Sequence, residues 1–102
     1  MIVFNTTFHA HIACEQLFLD WLRAVYIPQA LADGRLSEAR LTRVLNAEES
    51  DGVNYSLQFR ADNLDTLHGW YAEVGDELVV AMARKFGQQV AGFSTLLEEV
   101  EL

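Results

Sequence analysis

Residues 53–61 alternate strictly between apolar and polar side chains, and this alternation constrains the fold more than any other feature of the sequence. Successive side chains of a β-strand lie on opposite faces, so the segment predicts a strand with one buried and one open face. The apolar positions are Val53, Tyr55, Leu57 and Phe59. The polar positions are Asn54, Ser56, Gln58 and Arg60. A sheet of such strands is covered by other elements on one side only.

Three further segments also predict strands. Residues 2–9 alternate in the same way, and residues 36–48 do so less regularly. Residues 49–52 read Glu-Ser-Asp-Gly, and an Asp-Gly pair is a strong signal for the turn of a β-hairpin. Residues 89–101 predict the last strand, whose terminal carboxylates oppose pairing between the sheet edges of different molecules.

After the first strand the apolar spacing changes to that of a helix. From Ile12 onward, apolar residues recur at intervals of three and four and form one stripe. The stripe consists of Cys14, Leu17, Phe18, Trp21, Leu22 and Val25. Pro28 lacks an amide hydrogen, so we expect the helix to end or kink just before it. Residues 28–33 then predict a short second helix or turn, closed by Gly34 in a left-handed conformation.

A second long helix is predicted between Asn63 and Gly87. The Asn63 side chain can accept a hydrogen bond from the first turn, and Gly87 suits the end of the helix. Gly69 and Gly75 each weaken a helix by up to ~1 kcal/mol relative to Ala, and a close approach to the sheet would explain them. The expected buried stripe consists of Leu64, Leu67, Tyr71, Val74, Leu78 and Met82.

The order of elements is therefore β-α-β-β-α-β, the ferredoxin-like arrangement of the α+β class. It predicts a four-stranded antiparallel sheet with two helices on one face, as a single domain over residues 1–102. The open face combines polar side chains with Leu41, Leu45, Phe93 or Leu97 from the neighbouring strands. Such a face suits pairing with a second copy about a two-fold axis, so we predict a homodimer.

Charge and composition argue against several partners and locations. The net charge is −8, from 15 acidic and 7 basic residues, which opposes binding to nucleic-acid phosphates and to anionic membranes. No apolar run approaches the ~20 residues of a membrane span, and we expect no signal peptide. The lone Cys14 cannot form an intrachain disulfide, which suits a reducing compartment. We therefore expect a cytoplasmic location.

Four stretches carry a family resemblance: "MIVFNTTF" at the start, "W…YIP…ADG" in the first helix, "RVL" in the second strand and "KFGQQVAGFSTLLEEVE" at the end. Together they resemble a Bacteroidetes-type bacterial family of unknown function, within the dimeric α+β barrel superfamily of ferredoxin-like proteins. The resemblance spans nearly the whole chain and implies the fold and a dimer rather than a reaction. Two histidines of the family correspond to Tyr26 and to a position near Met82, which argues against histidine-based chemistry here.

The resemblance also implies where a ligand would lie. Superfamily relatives hold substrates or haem between the helices and the sheet, which places a candidate cleft there in this chain. Large aromatic side chains with a few polar tips suit a small-molecule pocket, and they equally suit an ordinary core. The candidate lining residues are Trp21, Tyr26, Tyr55, Trp70 and Tyr71, with Arg43 or His68 at the rim.

Two functions are compatible with these features. The first is a non-enzymatic module for small-ligand binding or assembly, with no cofactor. The alternative is a cofactor-independent enzyme, similar to a monooxygenase or an isomerase, that acts on a small aromatic substrate in the cleft. Its proton-handling groups would be His68, Tyr26 or Asn5. A pocket of ~300 Å³ or more that His68 or Arg43 reaches would favour the enzyme.

A metal site has weaker support. His9 and His11 precede Cys14 and Glu15, and imidazole with thiolate suits zinc. The spacing matches no strong zinc signature, however, and Cys14 fits the apolar stripe as a small hydrophobic residue. We therefore predict no metal. The sequence also holds no G-x-S-x-G elbow and no glycine-rich phosphate motif, which argues against a serine nucleophile and against nucleotide binding.

Overall fold

The computed structural model describes residues 1–46 and 51–102, and within them four strands form one antiparallel sheet. The sheet has the strand order β2-β3-β1-β4. The strands are β1 (Ile2–His11), β2 (Ser37–Arg43), β3 (Gly52–Ala61) and β4 (Val90–Glu98). Two helical segments cover one face of this sheet. The predicted α+β, ferredoxin-like β-α-β-β-α-β arrangement is confirmed.

The first helical segment stays helical past the proline. It consists of α1 (Glu15–Trp21), a first π-helical turn (Leu22–Tyr26) and α2 (Ile27–Leu31). Of the two predicted alternatives, an end or a kink just before Pro28, the end is therefore wrong, and the helix is irregular at that place. Proline removes one hydrogen bond and crowds the carbonyl four residues earlier, and the wider π-helical turn directly ahead of it accommodates both effects. Gly34 has φ +80°, which confirms the predicted left-handed position.

The second helical segment repeats this construction. It consists of α3 (Leu64–Trp70), a second π-helical turn (Tyr71–Gly75) and α4 (Asp76–Phe86). The predicted cap is confirmed, because the Thr66 amide donates to Asn63 Oδ1 at 2.8 Å. None of the helices in residues 1–46 and 51–102 is long and apolar enough to cross a membrane.

The buried stripes of the helices differ from the regular spacing. Leu17, Leu64 and Tyr71 are exposed, although the sequence pattern placed them inside. Trp70 is fully buried instead, and the next buried position of that segment is Gly75. The second π-helical turn inserts one extra residue between these two positions, so a count of three and four residues misses the face that meets the sheet.

The core lies between the helical segments and the inner face of β1 and β3. The alternation predicted for both strands is confirmed, and only Thr6 interrupts the apolar inner row of β1 up to Ala10. Phe8 packs edge to face on Phe18 of α1, with 5.1 Å between the ring centroids. Phe4 packs in the same way on Trp70 of α3, at 5.5 Å.

The edge strand β2 is shorter than predicted. It ends at Arg43, and Leu45 lies exposed beyond it. The rest of the predicted strand and the first half of the predicted turn, residues 47–50, lie outside the described residues. Leu41 pairs with Leu57 and therefore lies on the inner face, so its predicted place on the open face is wrong.

The outer sheet face is open, and β4 is exposed on both sides. Phe93 pairs with Thr7 and Leu97 with Val3, which confirms that both apolar side chains lie on the outer face. Every residue of β4 after Val90 is exposed, including Leu96, which shares the inner face with Phe4. The helical layer thus shields β1 and β3 and leaves the fourth strand largely uncovered.

Gly75 leads to a test of this packing. A Cβ atom added there would lie 2.8 Å from Cζ3 of the buried Trp70 ring, so the close approach is to this ring and not to the sheet as predicted. We expect Gly75→Ala to lower the free energy of unfolding, because overpacking costs about 1–3 kcal/mol and exceeds the gain in helix propensity. Urea unfolding at fixed protein concentration measures it.

Gly69→Ala is the matched control. A Cβ atom at Gly69 meets only the flexible end of Arg35, at 3.1 Å. We expect the free energy of unfolding of this variant to equal that of the wild type or to be higher by up to ~1 kcal/mol. Equal stability of the two variants would contradict the packing described for Trp70.

Candidate functional site

A cleft of about 200 Å³ lies between the helical layer and the inner face of the sheet, beside β4. Both π-helical turns border it, the first through Tyr26 and the second through Tyr71 and Gly75. Such turns inside α-helices occur frequently at functional sites. The lining residues are Phe4, Thr6, Phe8, Tyr26, Trp70, Tyr71, Gly75, Val79, Met82, Gly92, Phe93 and Ser94.

Aromatic rings form the walls of the cleft and fix one another. Phe4, Trp70 and Tyr71 contact each other edge to face, with centroid distances between 5.5 and 6.2 Å. Phe8 and Tyr26 make a similar pair at 6.0 Å. Edge-to-face contacts of this kind stabilise ring positions beyond the effect of area burial. The cleft therefore has walls that exist before any ligand arrives.

Trp70 is the best-anchored of these side chains. Its ring is fully buried, and its indole Nε1–H donates a hydrogen bond of 3.0 Å to the carbonyl of Ala30. Ala30 lies in α2, near the end of the first helical segment, where carbonyl groups lack partners within the helix. Gly75 gives the other side of the ring the space it needs. One side chain thus joins both helical segments at the wall of the cleft.

Few polar groups reach the cleft. The hydroxyls of Thr6 and Ser94 lie 3.1 Å apart and hydrogen-bond to each other across β1 and β4. Among the described residues, no group hydrogen-bonds to the hydroxyl of Tyr26, although the side chain is buried. None of the residues that line the cleft in the described ranges is Asp, Glu, Lys, Arg or His.

The environment of Tyr26 changes its acidity. Burial in the cleft wall, and secondarily the nearby Tyr71, raise the pKa of Tyr26 from 10.0 to about 12. Removal of water disfavours the phenolate, which is the charged form. Tyr26 therefore keeps its proton at neutral pH and offers an O–H donor to the cleft.

The structure brings together three of the seven candidate residues that the sequence suggested, namely Tyr26, Trp70 and Tyr71. Trp21 lies nearby but outside the cleft lining. It packs on Phe18, Tyr26 and Phe86, with centroid distances of 6.4, 5.7 and 5.7 Å. Its role in the described structure is that of a core residue at the far end of α1.

The polar candidates lie elsewhere. Tyr55 donates a hydrogen bond to Glu15 at the start of α1. Arg43 pairs with Tyr55 in the register of β2 and β3, and β2 is the sheet edge opposite β4. His68 is exposed on α3. Asn5, suggested as a proton-handling group, lies on the outer face and donates to Thr7 Oγ1 at 3.2 Å.

Several lining residues were missed from the sequence. Phe4, Phe8, Gly92 and Ser94 line the cleft but are not among the candidates that the sequence suggested. The one available signal was Thr6, a polar residue in the middle of an otherwise apolar strand face. Its hydroxyl needs a partner when buried, and that partner lies on β4, where the cleft opens.

The histidines considered for a metal site contact other groups. His9 lies with Nδ1 2.7 Å from Asn54 Oδ1 and Nε2 2.8 Å from Asp51 Oδ1. The Nδ1 atom of His11 accepts a hydrogen bond of 3.0 Å from the amide of Ala13. Cys14 is buried. In residues 1–46 and 51–102, no group of three or more His, Cys, Asp or Glu side chains could hold a metal ion.

Comparison with known proteins gives a family and a fold. The family model described as Domain of unknown function (DUF4286) matches residues 1–100. No curated protein matches the chain. The solved structures described below are each less than 20% identical to the chain, so they bear on the fold alone.

Three of these structures cover nearly the whole chain. An ethyl tert-butyl ether D (EthD) family protein from Bacillus halodurans C-125 is 16% identical, with a TM-score of 0.69 over 98% of this chain and 100% of that one. A "putative antibiotic biosynthesis monooxygenase" from Deinococcus radiodurans is 19% identical, with a TM-score of 0.71 over 100% and 95%. A dimeric ferredoxin-like protein from an uncultured marine organism is 15% identical, with a TM-score of 0.62 over 100% and 99%.

The raised pKa of Tyr26 predicts a specific pH dependence. Because the pKa in the folded state exceeds that in the unfolded state, Tyr26 stabilises the fold fully below about pH 10, and this contribution is lost as the pH rises towards 12. Between pH 8 and about pH 11, we expect the free energy of unfolding of the wild type to fall by about 1 kcal/mol more than that of Tyr26→Phe. Urea unfolding at each pH measures this difference.

Tyr71→Phe is the control for this experiment, because the Tyr71 side chain is exposed. This variant should keep most of the loss of stability that the wild type shows, because burial is the larger cause of the raised pKa of Tyr26 and Tyr71 the smaller one. Parallel curves for the wild type and Tyr26→Phe would contradict the burial of the Tyr26 hydroxyl.

Proposed function

The chain belongs to the family described as Domain of unknown function (DUF4286), and we propose that it is a homodimeric domain that binds a small, largely apolar aromatic ligand. The observation that carries the proposal is the preformed cleft beside β4, with aromatic walls and few polar groups. Sites for small molecules have this composition. In this proposal the chain acts as a binding module and needs no cofactor. A single domain over residues 1–102 is part of it, and the cytoplasmic location stays a prediction from the sequence.

The outer face of the sheet supports the dimer. Three of its polar side chains satisfy one another, since Ser56 donates to Asn5 and the Asn5 amide donates to Thr7. Polar groups that keep their partners can be buried against a second copy at little cost. Phe93 and Leu97 supply apolar area on the same face, and aromatic side chains commonly anchor interfaces.

The exposure of β4 supports the same conclusion. A long edge strand with uncovered apolar side chains is an aggregation hazard unless another element shields it. The helical layer does not cover β4, whereas a second copy seated on the outer face would shield Phe93 and Leu97. Two of the similar solved structures are themselves dimeric ferredoxin-like proteins.

The alternative is a cofactor-independent enzyme similar to a monooxygenase or an isomerase. It is favoured by the likeness to the Deinococcus radiodurans structure and by the position of Tyr26 in the wall of the cleft. The volume of about 200 Å³ and the positions of His68, Arg43 and Asn5 outside the lining support binding over catalysis. With Tyr26 protonated, no general base lies among the described lining residues.

Phe93 provides a test of the dimer. We expect Phe93→Asp to raise the dissociation constant of the dimer at least about tenfold, because it places a charge where an aromatic anchor would be buried. Sedimentation equilibrium measures this constant. Leu17→Asp is the matched control, since Leu17 is 63% exposed on α1 and Phe93 is 65% exposed on β4. A wild type that sediments as a monomer at micromolar concentration would contradict the proposal.

Val79 and Val80 provide a test of the cleft. They are consecutive residues of α4 with exposed fractions of 46% and 47%, but only Val79 lines the cleft. With indole and tetralin as probes, we expect the melting temperature of the wild type to rise with the logarithm of probe concentration. Val79→Trp should abolish this rise by filling the cleft, and Val80→Trp should retain it.

The same experiment can contradict ligand binding in the cleft, or it can favour the enzyme over the binding module. No rise with either probe, or equal effects of both variants, would contradict ligand binding in the cleft. Oxygen-dependent conversion of a bound probe to a product would favour the enzyme.

A further inference from the structure

The hydrogen-bonding groups of the cleft identify the class of ligand, and this step rests on the function proposed above. The polar side chains of the lining are those of Thr6, Tyr26, Tyr71 and Ser94. The hydroxyls of Thr6 and Ser94 bond to each other, and the exposed Tyr71 is accessible to water. Tyr26 alone combines a residue that is only 5% exposed with a hydroxyl that has no hydrogen-bond partner among the described residues, and the oxygen of this hydroxyl is not fully shielded from water in the cleft.

That hydroxyl acts as a donor. Burial raises the pKa of Tyr26 to about 12, so the proton stays on the oxygen at neutral pH. A ligand that fills the cleft takes water away from this donor, and an oxygen of the ligand that accepts its hydrogen bond removes the resulting penalty. A pure hydrocarbon would leave the donor unsatisfied. The cleft therefore distinguishes ligands by the presence of an acceptor.

Charged ligands do not fit the same surroundings. An anion would lose its hydration without a basic side chain in the described lining to compensate, and the protein as a whole carries a net charge of −8. A cation would lose its hydration in the same way, and none of the described lining residues supplies a carboxylate to compensate.

The volume limits the size of the ligand. An apolar cavity of about 150 Å³ in another protein holds benzene, so about 200 Å³ corresponds to one or two rings. A large planar cofactor exceeds this space. Donor, charge and volume together describe one class of molecule.

We infer that the cleft takes an uncharged molecule of one or two rings that bears a carbonyl-type oxygen, and that Tyr26 donates a hydrogen bond to this oxygen. The aromatic walls hold the rings, and Tyr26 sets their orientation. The Thr6–Ser94 pair satisfies itself and leaves the hydrocarbon part of the ligand in an apolar environment.

Four probes of similar shape test this inference. They are 1-tetralone, which carries the acceptor, tetralin, which lacks it, tetrahydroisoquinoline, a cation at pH 7, and 1-naphthoate, an anion. Calorimetric titration of the wild type should show about fivefold tighter binding of 1-tetralone than of tetralin, as expected for one net hydrogen bond. The two ions should bind more weakly than tetralin.

Variants assign the effect to one hydroxyl. Tyr26→Phe should remove the preference, so that 1-tetralone and tetralin bind this variant with similar affinity. Tyr55→Phe is the matched control, because the Tyr55 hydroxyl donates to Glu15 outside the cleft lining, and this variant should keep the fivefold preference. Infrared spectra supply a readout that needs no variant, because the hydrogen bond lowers the carbonyl stretching frequency of bound 1-tetralone relative to the ketone in hexane.

The outcomes separate this inference from the function on which it rests. If tetralin binds in the cleft but 1-tetralone shows neither a preference nor a frequency shift, the inference is overturned and the proposed function stands. Tighter binding of either ion than of 1-tetralone also overturns the inference alone. If no ring compound binds, both are overturned.

Discussion

The packing of Trp70 is the constraint on which the rest of the structure depends. Its indole N–H bonds the carbonyl of Ala30, its ring edge meets Phe4 of the sheet, and Gly75 makes room for it in the next turn. One fully buried side chain thereby sets the distance between the two helical segments and their height above β1. The cleft beside β4 has a fixed wall because this wall is part of the core.

Much of the fold was accessible from the sequence because two periodicities were clear. The alternation in β1 and β3 and the cap at Asn63 depend on local geometry, and both are observed. The helical stripes failed at Leu17 and Tyr71, which are exposed. A constant spacing also cannot represent the second π-helical turn, which makes Gly75 the next buried position after Trp70. A signal existed in the repeated pattern Trp-x-x-x-Val at residues 21–25 and 70–74, which closes α1 and α3 in the same way.

The site was less accessible than the fold. Sequence reasoning identified aromatic residues next to the helix break, and those on the helices near β1, such as Tyr26 and Trp70, do line the cleft. The sequence did not indicate at which edge of the sheet the cleft would open. The strand order places β2 and β4 at opposite edges, so Arg43 is separated from a cleft that opens beside β4. Candidate residues of suitable chemical type form one site only if the strand order places them at the same edge of the sheet.

Both π-helical turns border the cleft, and the first of them directly precedes the helical segment that contains Pro28. Each of them departs from the most stable helix geometry, and Pro28 explains only the first, since no proline follows Gly75. What the turns share is their position, because both border the same cleft, through Tyr26 in one and Gly75 in the other. Departures from local preference that converge on one place are expected at functional sites rather than in an ordinary core. The irregular helices and the aromatic walls therefore both support the proposal that the space between helices and sheet holds a ligand.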